Sequence, residues 1–248
     1  ARSRSELGMD SLRLVNDYYI SVGKQGVDKL VEGDQKTPLG VYHTLESIDP
    51  KLLEDRFGSA ALPLNYPNAL DRNQGRTGSG ILLHGVPSDT YVRAPLATDG
   101  CVAMANDDLQ RIAALINPRY TPVVIARELQ WVAPQQAQAG GRDFLAHWQG
   151  WEQARVNADA GSLVGFYDQR IEPPASAPVI NVPARKKQPA RTVAVTGFVD
   201  VSVMAVADPQ PMMVVNYRER GPNGERSSRL KQQYWAEEAG SWKIVAES

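Results

Sequence analysis

Turn-forming residues break the stretch from Leu12 to Arg127 so often that its apolar runs are long enough only for short strands. The runs are Arg13–Val22, Gly40–Thr44, Gly80–His84 and Pro122–Ala126. One helix is expected among them. Asn106 is placed to cap it, Asp107 and Asp108 suit the positive end of its dipole, and Leu109, Ile112, Ala113 and Ile116 recur at helical spacing until Asn117-Pro118. The expectation is a mainly β domain over residues 1–133.

The pattern then changes. Pro134-Gln135-Gln136-Ala137-Gln138-Ala139-Gly140-Gly141 is polar and has no periodicity, so residues 134–142 are read as a linker. From Asp143 a helical run carries Trp148, Trp151 and Val156, and a second, short helix is expected around Leu163–Tyr167. A proline-rich passage, 173–189, follows. Four β-like runs come after it, near Thr192–Val203, Met212–Arg218, Ser228–Trp235 and Trp242–Val245, with Pro222-Asn223-Gly224 marking a turn. Helices followed by an antiparallel sheet make residues 143–248 an α+β domain. A chain of 248 residues has room for both cores.

Charge and composition exclude several partners. The 27 basic and 28 acidic residues nearly cancel, and no segment gathers Lys and Arg with interleaved aromatics, so nucleic acid is not expected. No apolar run approaches the ~20 residues that span a bilayer. The polar start, Ala1-Arg2-Ser3-Arg4-Ser5, has no hydrophobic signal core behind it, so an exported protein would have lost its signal from this sequence. Cys101 is the only cysteine, which excludes an intrachain disulfide and an all-cysteine metal site. His43 and His147 lack neighbours at ligand spacing. No metal or organic cofactor is expected.

A lone thiol is either inert packing or chemistry, and its surroundings favour chemistry. His84 ends an apolar strand and is followed by Gly85, while Cys101 lies in Thr98-Asp99-Gly100-Cys101-Val102-Ala103-Met104, ahead of the helix. Such positions present side chains to a cleft. A thiol close to a helix amino terminus and an imidazole is expected to have a lowered pKa, and the thiolate is the nucleophile. Gly100 allows close approach of a substrate carbonyl, with the Gly100 and Cys101 amides as candidate oxyanion donors.

Gly33-Asp34-Gln35-Lys36-Thr37-Pro38-Leu39-Gly40-Val41-Tyr42, then Ile81-Leu82-Leu83-His84-Gly85, then Thr98-Asp99-Gly100-Cys101-Val102 together resemble the successive signatures of the YkuD-type L,D-transpeptidase catalytic domain. The resemblance runs in order over roughly residues 10–130. It implies a β-sandwich-like catalytic domain in an exported, periplasmic or envelope protein that acts on peptidoglycan stem peptides. In that family the cysteine attacks the L,D bond before the terminal D-alanine of a tetrapeptide. Carried over, Cys101 would be the nucleophile, His84 its base and the Gly85 carbonyl the group that orients the imidazole.

Many family members have histidine where this chain has Asp99, and a polar residue, often arginine, at Ala103. The missing guanidinium leaves Arg93 and Arg76 as candidates for holding the stem carboxylate. Thr98, Asp99 and Tyr91 are further substrate-binding candidates. So are Asn65-Tyr66-Pro67 and the loop carrying Asp71, Arg72, Thr77, Gly78 and Ser79. Residues 143–248, with Phe144, Trp148, Trp151, Phe166 and Tyr167 ahead of the strands, resemble the cone of nuclear transport factor 2-like domains, whose job here would be to hold glycan or an envelope protein. The domain order resembles that of helical-cell-shape L,D-carboxypeptidases, which hydrolyse the tetrapeptide instead of joining it to an amine. Three functions therefore stand open: transpeptidation, hydrolysis, and peptidoglycan binding without catalysis.

Overall fold

A computed structural model describes residues 14–128, 134–171, 179–182, 191–207 and 210–248. The chain forms two compact units, one spanning Arg13–Leu129 and the other containing Gln130–Ser248. The first is mainly β and the second α+β, the fold class the sequence pattern implies. The polar start 1–5, and the parts of the proline-rich passage outside 179–182, lie outside the described residues.

In the first unit the strands are β1 (Val22–Gly23), β2 (Gly40–His43), β3 (Ala61–Pro63), β4 (Leu82–His84), β5 (Leu96–Thr98), β6 (Val102–Ala103) and β7 (Pro122–Ile125). The helices are α1 (Ala69–Asn73) and α2 (Asn106–Ala113). β3, β4 and β6 form one sheet, with β4 central, antiparallel to β3 and parallel to β6. β2 pairs with β7, and β1 pairs with β5. Period-two alternation decides what β4 presents on each face. Leu83 packs with Leu62, Val102, Met104 and Leu109, while Leu82 and His84 point the other way. A second core joins Tyr42, Leu64, Tyr66 and Ile81.

The expected strand Arg13–Val22 is reduced to Val22–Gly23. Leu14, Val15, Tyr19 and Ile20 are exposed, so these apolar residues gain no face to bury, and among the described residues the run is paired only at its end, through Ser21 with Ala103 and Val22 with Leu96. Asn106 does not cap α2: it is the first helical residue, Ala105 holds the cap position without a side-chain bond, and the Asn106 side chain bonds elsewhere. A side-chain cap forms instead at α1, where Asn68 Oδ1 accepts from the Asp71 amide and Asp71 Oδ2 accepts from the Asn68 amide.

The second unit opens with α3 (Pro134–Val156), so residues expected as a linker are helical, and Gly140 and Gly141 do not end the helix. Phe144, Trp148, Trp151 and Arg155 recur at intervals of four, three and four residues on one buried face of α3. α4 (Ala160–Val164) follows, with Asp159 accepting from the Ser162 amide. β10 (Gly197–Val206), β11 (Met212–Arg220), β12 (Lys231–Glu238) and β13 (Ser241–Glu247) form an antiparallel sheet in that order. The run expected at Thr192–Val203 is in fact two strands. Its first part is β9 (Arg191–Ala194), which pairs with β8 (Val179–Val182), a strand inside the proline-rich passage that composition concealed.

Met213, Val215 and Tyr217 of β11, Trp235 of β12 and Ile244 of β13 pack against the aromatic face of α3. Phe144 and Trp235 meet edge to face with ring centroids 5.6 Å apart. At the end of this core Glu219 Oε1 accepts from Arg155 Nε and Nη2, at 3.3 and 3.1 Å, and from Lys231 Nζ at 3.2 Å. Arg155 and Glu219 are both buried. Gly224, with φ +81°, makes the expected turn near Pro222-Asn223-Gly224 inside the long β11–β12 connection. The tight hairpin is the two-residue loop Ala239-Gly240 between β12 and β13, with φ of +49° and +77°, a turn the sequence reading missed.

Candidate active site

Two neighbouring strands present the site. His84 ends β4, and Cys101 immediately precedes β6, whose Val102 and Ala103 lie beside Leu83 and His84. The Leu82 amide donates to Cys101 Sγ at 3.4 Å, and the thiol is directed to the Gly80 carbonyl at 3.7 Å. Cys101 and His84 line one cleft of about 310 Å³, together with Thr98, Asp99 and Arg93.

His84 Nδ1 lies 2.6 Å from the Gly85 carbonyl oxygen. A carbonyl can only accept, so Nδ1 carries the proton and Nε2 keeps a lone pair, the tautomer a general base requires. The Phe57 ring meets the imidazole edge to face at 5.3 Å. Burial pushes the His84 pKa down, the Gly85 bond opposes this, and Arg93 adds to it. Burial pushes the Cys101 thiol up, against the Leu82 amide, which lowers it; Asp99 raises it and Arg93 lowers it. In the free site both shifts favour the neutral forms of the thiol and of the imidazole. This corrects the expectation of a lowered thiol pKa. Along the chain, β6, Met104 and Ala105 stand between Cys101 and the first residue of α2.

The glycines act from behind the cleft. Gly100 has φ +126°, and a Cβ there would lie 2.9 Å from the Lys36 carbonyl oxygen. Thr98 Oγ1 accepts from the Gly100 amide at 3.2 Å and donates to the Cys101 carbonyl at 2.7 Å, so Thr98 shapes the loop that holds the cysteine. That engagement removes the Gly100 amide from the candidate oxyanion donors and leaves the Cys101 amide. A Cβ on Gly85 would lie 2.1 Å from Asn106 Oδ1.

The first motif builds the wall on which Gly100 rests. Asp34 accepts from Lys29 Nζ at 2.8 Å and from the amides of Leu30, Val31 and Lys36. Burial pushes the Asp34 carboxyl up, but the Lys29 ammonium and these three amides outweigh it and hold it well below the usual carboxylate range. Thr37 Oγ1 accepts from the Gly23 amide at 2.9 Å.

Two candidates lie elsewhere. Arg76 is nearly buried and bonds Asp28 Oδ1 at 3.1 Å, the Lys29 carbonyl at 3.0 Å and Gln74 Oε1 at 3.0 Å; it does not line the cleft. Tyr91 is 83 % exposed and also does not line it. Asp71 and Tyr66 are buried outside the cleft, and Asn65 Oδ1 accepts from the His43 amide. Of the candidates in the preceding loop, Gly78 and Ser79 line the cleft, as does the next residue, Gly80. His43 is buried, which pulls its pKa down to about 4. His147 Nε2 lies 3.0 Å from the Trp242 carbonyl.

Arg93 does line the cleft, held by the carbonyls of Arg56 at 3.2 Å and Ala97 at 3.5 Å. Asp99 bonds Lys24 Nζ and Gln35 Nε2, each at 2.9 Å, on the exposed rim. Sequence reasoning missed Lys29, Glu32, Arg56 and Phe57, which complete the wall. Their signal is proximity across turns, which periodicity does not carry. Among the described residues no group of three His, Cys, Asp or Glu side chains is placed to hold a metal ion.

Residues 3–125 match the family model described as the L,D-transpeptidase catalytic domain, YkuD. The N-terminal domain is a YkuD domain. No curated protein matches the chain. Among solved structures, the helical cell shape determining protein Pgp2 from Campylobacter jejuni is similar at 24% identity with a TM-score of 0.66, covering 92% of this chain and 80% of that one. Bd1075 of Bdellovibrio bacteriovorus is similar at 23% identity with a TM-score of 0.67, covering 95% and 83%. These likenesses carry the fold across both units. The cleft of the YkuD domain is lined by Ile81, Leu82 and His84 of the second motif, by Thr98, Asp99 and Cys101 of the third, and by Gly33 of the first.

Proposed function

We propose that the protein is an envelope enzyme that forms an acyl-enzyme on Cys101 from peptidoglycan tetrapeptide stems and passes the acyl group to an amine, an L,D-transpeptidase. The observation that supports this most is the presence of Cys101 and His84 in one cleft, with His84 Nε2 left to accept the thiol proton. Sγ bonds to the carbonyl carbon before the terminal D-alanine as its proton passes to Nε2. The C–N bond then breaks, and the same proton leaves on the D-alanine amine. The Cys101 amide faces the developing oxyanion. Arg93 supplies a guanidinium for a stem carboxylate. An incoming amine, deprotonated by His84, resolves the thioester and restores the thiol.

Hydrolysis of the same acyl-enzyme to a tripeptide is the second reading. Ala103 favours it: a small residue stands where many family members have a polar one, and it is buried between Ser21 and His84. Water requires no group to orient an amine. The C-terminal domain is proposed to bind glycan or an envelope protein.

Incubation with disaccharide-tetrapeptide muropeptides, read by mass spectrometry with Cys101→Ala as control, separates these readings. Cross-linked dimers mean transpeptidation, and tripeptide alone means hydrolysis. If no product depends on Cys101, both enzyme readings fail and binding without catalysis takes their place.

A further inference from the structure

Asn106 has the wrong bonds for a helix cap and the right ones for another task. Its Oδ1 accepts from the Ser59 amide at 2.9 Å and the Val86 amide at 3.2 Å, and its Nδ2 donates to the Val86 carbonyl at 2.9 Å. One planar amide thus grips both backbone groups of Val86 and ties them to the segment after Phe57. Gly58 and Gly85 pack against it so closely that a Cβ on either would lie 2.1 Å from Oδ1. The Gly85 amide, in turn, donates to the Phe57 carbonyl at 2.9 Å.

Two groups that contact the His84 ring, the Gly85 carbonyl and the Phe57 side chain, belong to segments that Asn106 holds. Asn106 is also the first residue of α2, five positions after Cys101 along a stretch that includes β6. It therefore ties the histidine's turn to the cysteine's own segment.

We propose that Asn106 is a positioning residue: it fixes the Gly85 carbonyl, and through it the tautomer and direction of the His84 imidazole relative to Cys101. This rests on the acyl-transfer reading for its effect on rate, but not for its effect on the ring. Without the amide the Val86 peptide is free to turn, the Gly85 carbonyl moves with it, and Nδ1 loses its fixed acceptor. A displacement of about 1 Å costs up to ~100-fold in rate.

The test combines 15N NMR of the imidazole, assigned with His84→Gln, with kcat and KM on a tetrapeptide. Wild type is expected to show one His84 tautomer, protonated at Nδ1, and Asn106→Ala a mixture, with kcat lower by about 10-fold or more and KM changed less than about twofold. Asn106→Asp keeps the acceptor for Ser59 and Val86, so it should fall between the two, and it stands in if the alanine variant does not fold. An unchanged tautomer in a folded variant overturns the inference, as does a wild-type kcat. If wild type turns over no tetrapeptide, the functional reading fails, and the NMR comparison still decides the role of Asn106.

Discussion

At the scale of single residues, the raised thiol and lowered imidazole have a kinetic signature. A thiolate–imidazolium pair reacts with alkylating agents at a rate that levels off near neutrality, whereas a neutral pair responds to the thiol alone. The iodoacetamide rate of Cys101 is therefore expected to keep rising with pH past 9, the ordinary value from which burial raises this thiol. A plateau near pH 7 would contradict the neutral-pair account. Asp99 makes a second test, because it bonds Lys24 and Gln35 and not His84. Asp99→Asn should keep activity within about fivefold, since an exposed ion pair is worth ~1 kcal/mol or less; a loss as severe as that of Cys101→Ala would give Asp99 a catalytic role. Three separated motifs singled out Cys101, His84, Gly85 and Gly100 as candidates, and of these Cys101 and His84 line the cleft. The pKa direction was not legible, since it is set by burial of the thiol in the folded chain, which spacing along the sequence does not carry.

At the scale of elements, the loop before Cys101 depends on a backbone that only glycine adopts without strain. Gly100→Ala places a Cβ against the Lys36 carbonyl at a φ of +126°, at a cost of roughly 1–3 kcal/mol. Thermal melting should fall accordingly, and activity should fall further because Cys101 follows directly. Retention of both would show that the loop relaxes freely. The Asp34 turn behind it gives a pH test. Its folded carboxyl pKa is depressed below the ordinary 3.8, so its stabilisation is present above that pH and is lost as pH falls toward the folded value. An Asp34→Asn variant should therefore differ from wild type in melting temperature at pH 6 and converge with it in strong acid. Strand positions were readable where turn residues bounded an apolar run, as at β2, β4 and β7. Arg13–Val22 misled because an apolar run alone provides no partner strand, and residues 134–142 misled because two glycines lower helix propensity without stopping a helix that packs its next turns through Phe144 and Trp148.

At the scale of the whole molecule, the chain combines two units with different kinds of core. The YkuD unit uses small sheets and many backbone turns to place a few groups around a cleft. The α+β unit instead buries a continuous aromatic layer between α3 and its sheet, with the Arg155–Glu219–Lys231 cluster at one end. Glu219→Ala strands the buried Arg155 guanidinium and should destabilise that unit by ~3 kcal/mol. Urea unfolding followed by fluorescence of the buried Trp148, Trp151 and Trp235 would report it, and an unchanged midpoint would contradict the cluster's structural role. The two-unit division was legible as a change of periodicity, but β8 was hidden by the prolines around it.

The central claim, an acyl-enzyme on Cys101, is tested most directly by intact-protein mass spectrometry after rapid mixing with a tetrapeptide stem, followed by peptide mapping. The account predicts a transient mass gain equal to the acyl tripeptide, located on the peptide containing Cys101 and absent from Cys101→Ala. Turnover of the stem with no adduct on that peptide, or an adduct that persists in Cys101→Ala, would contradict it.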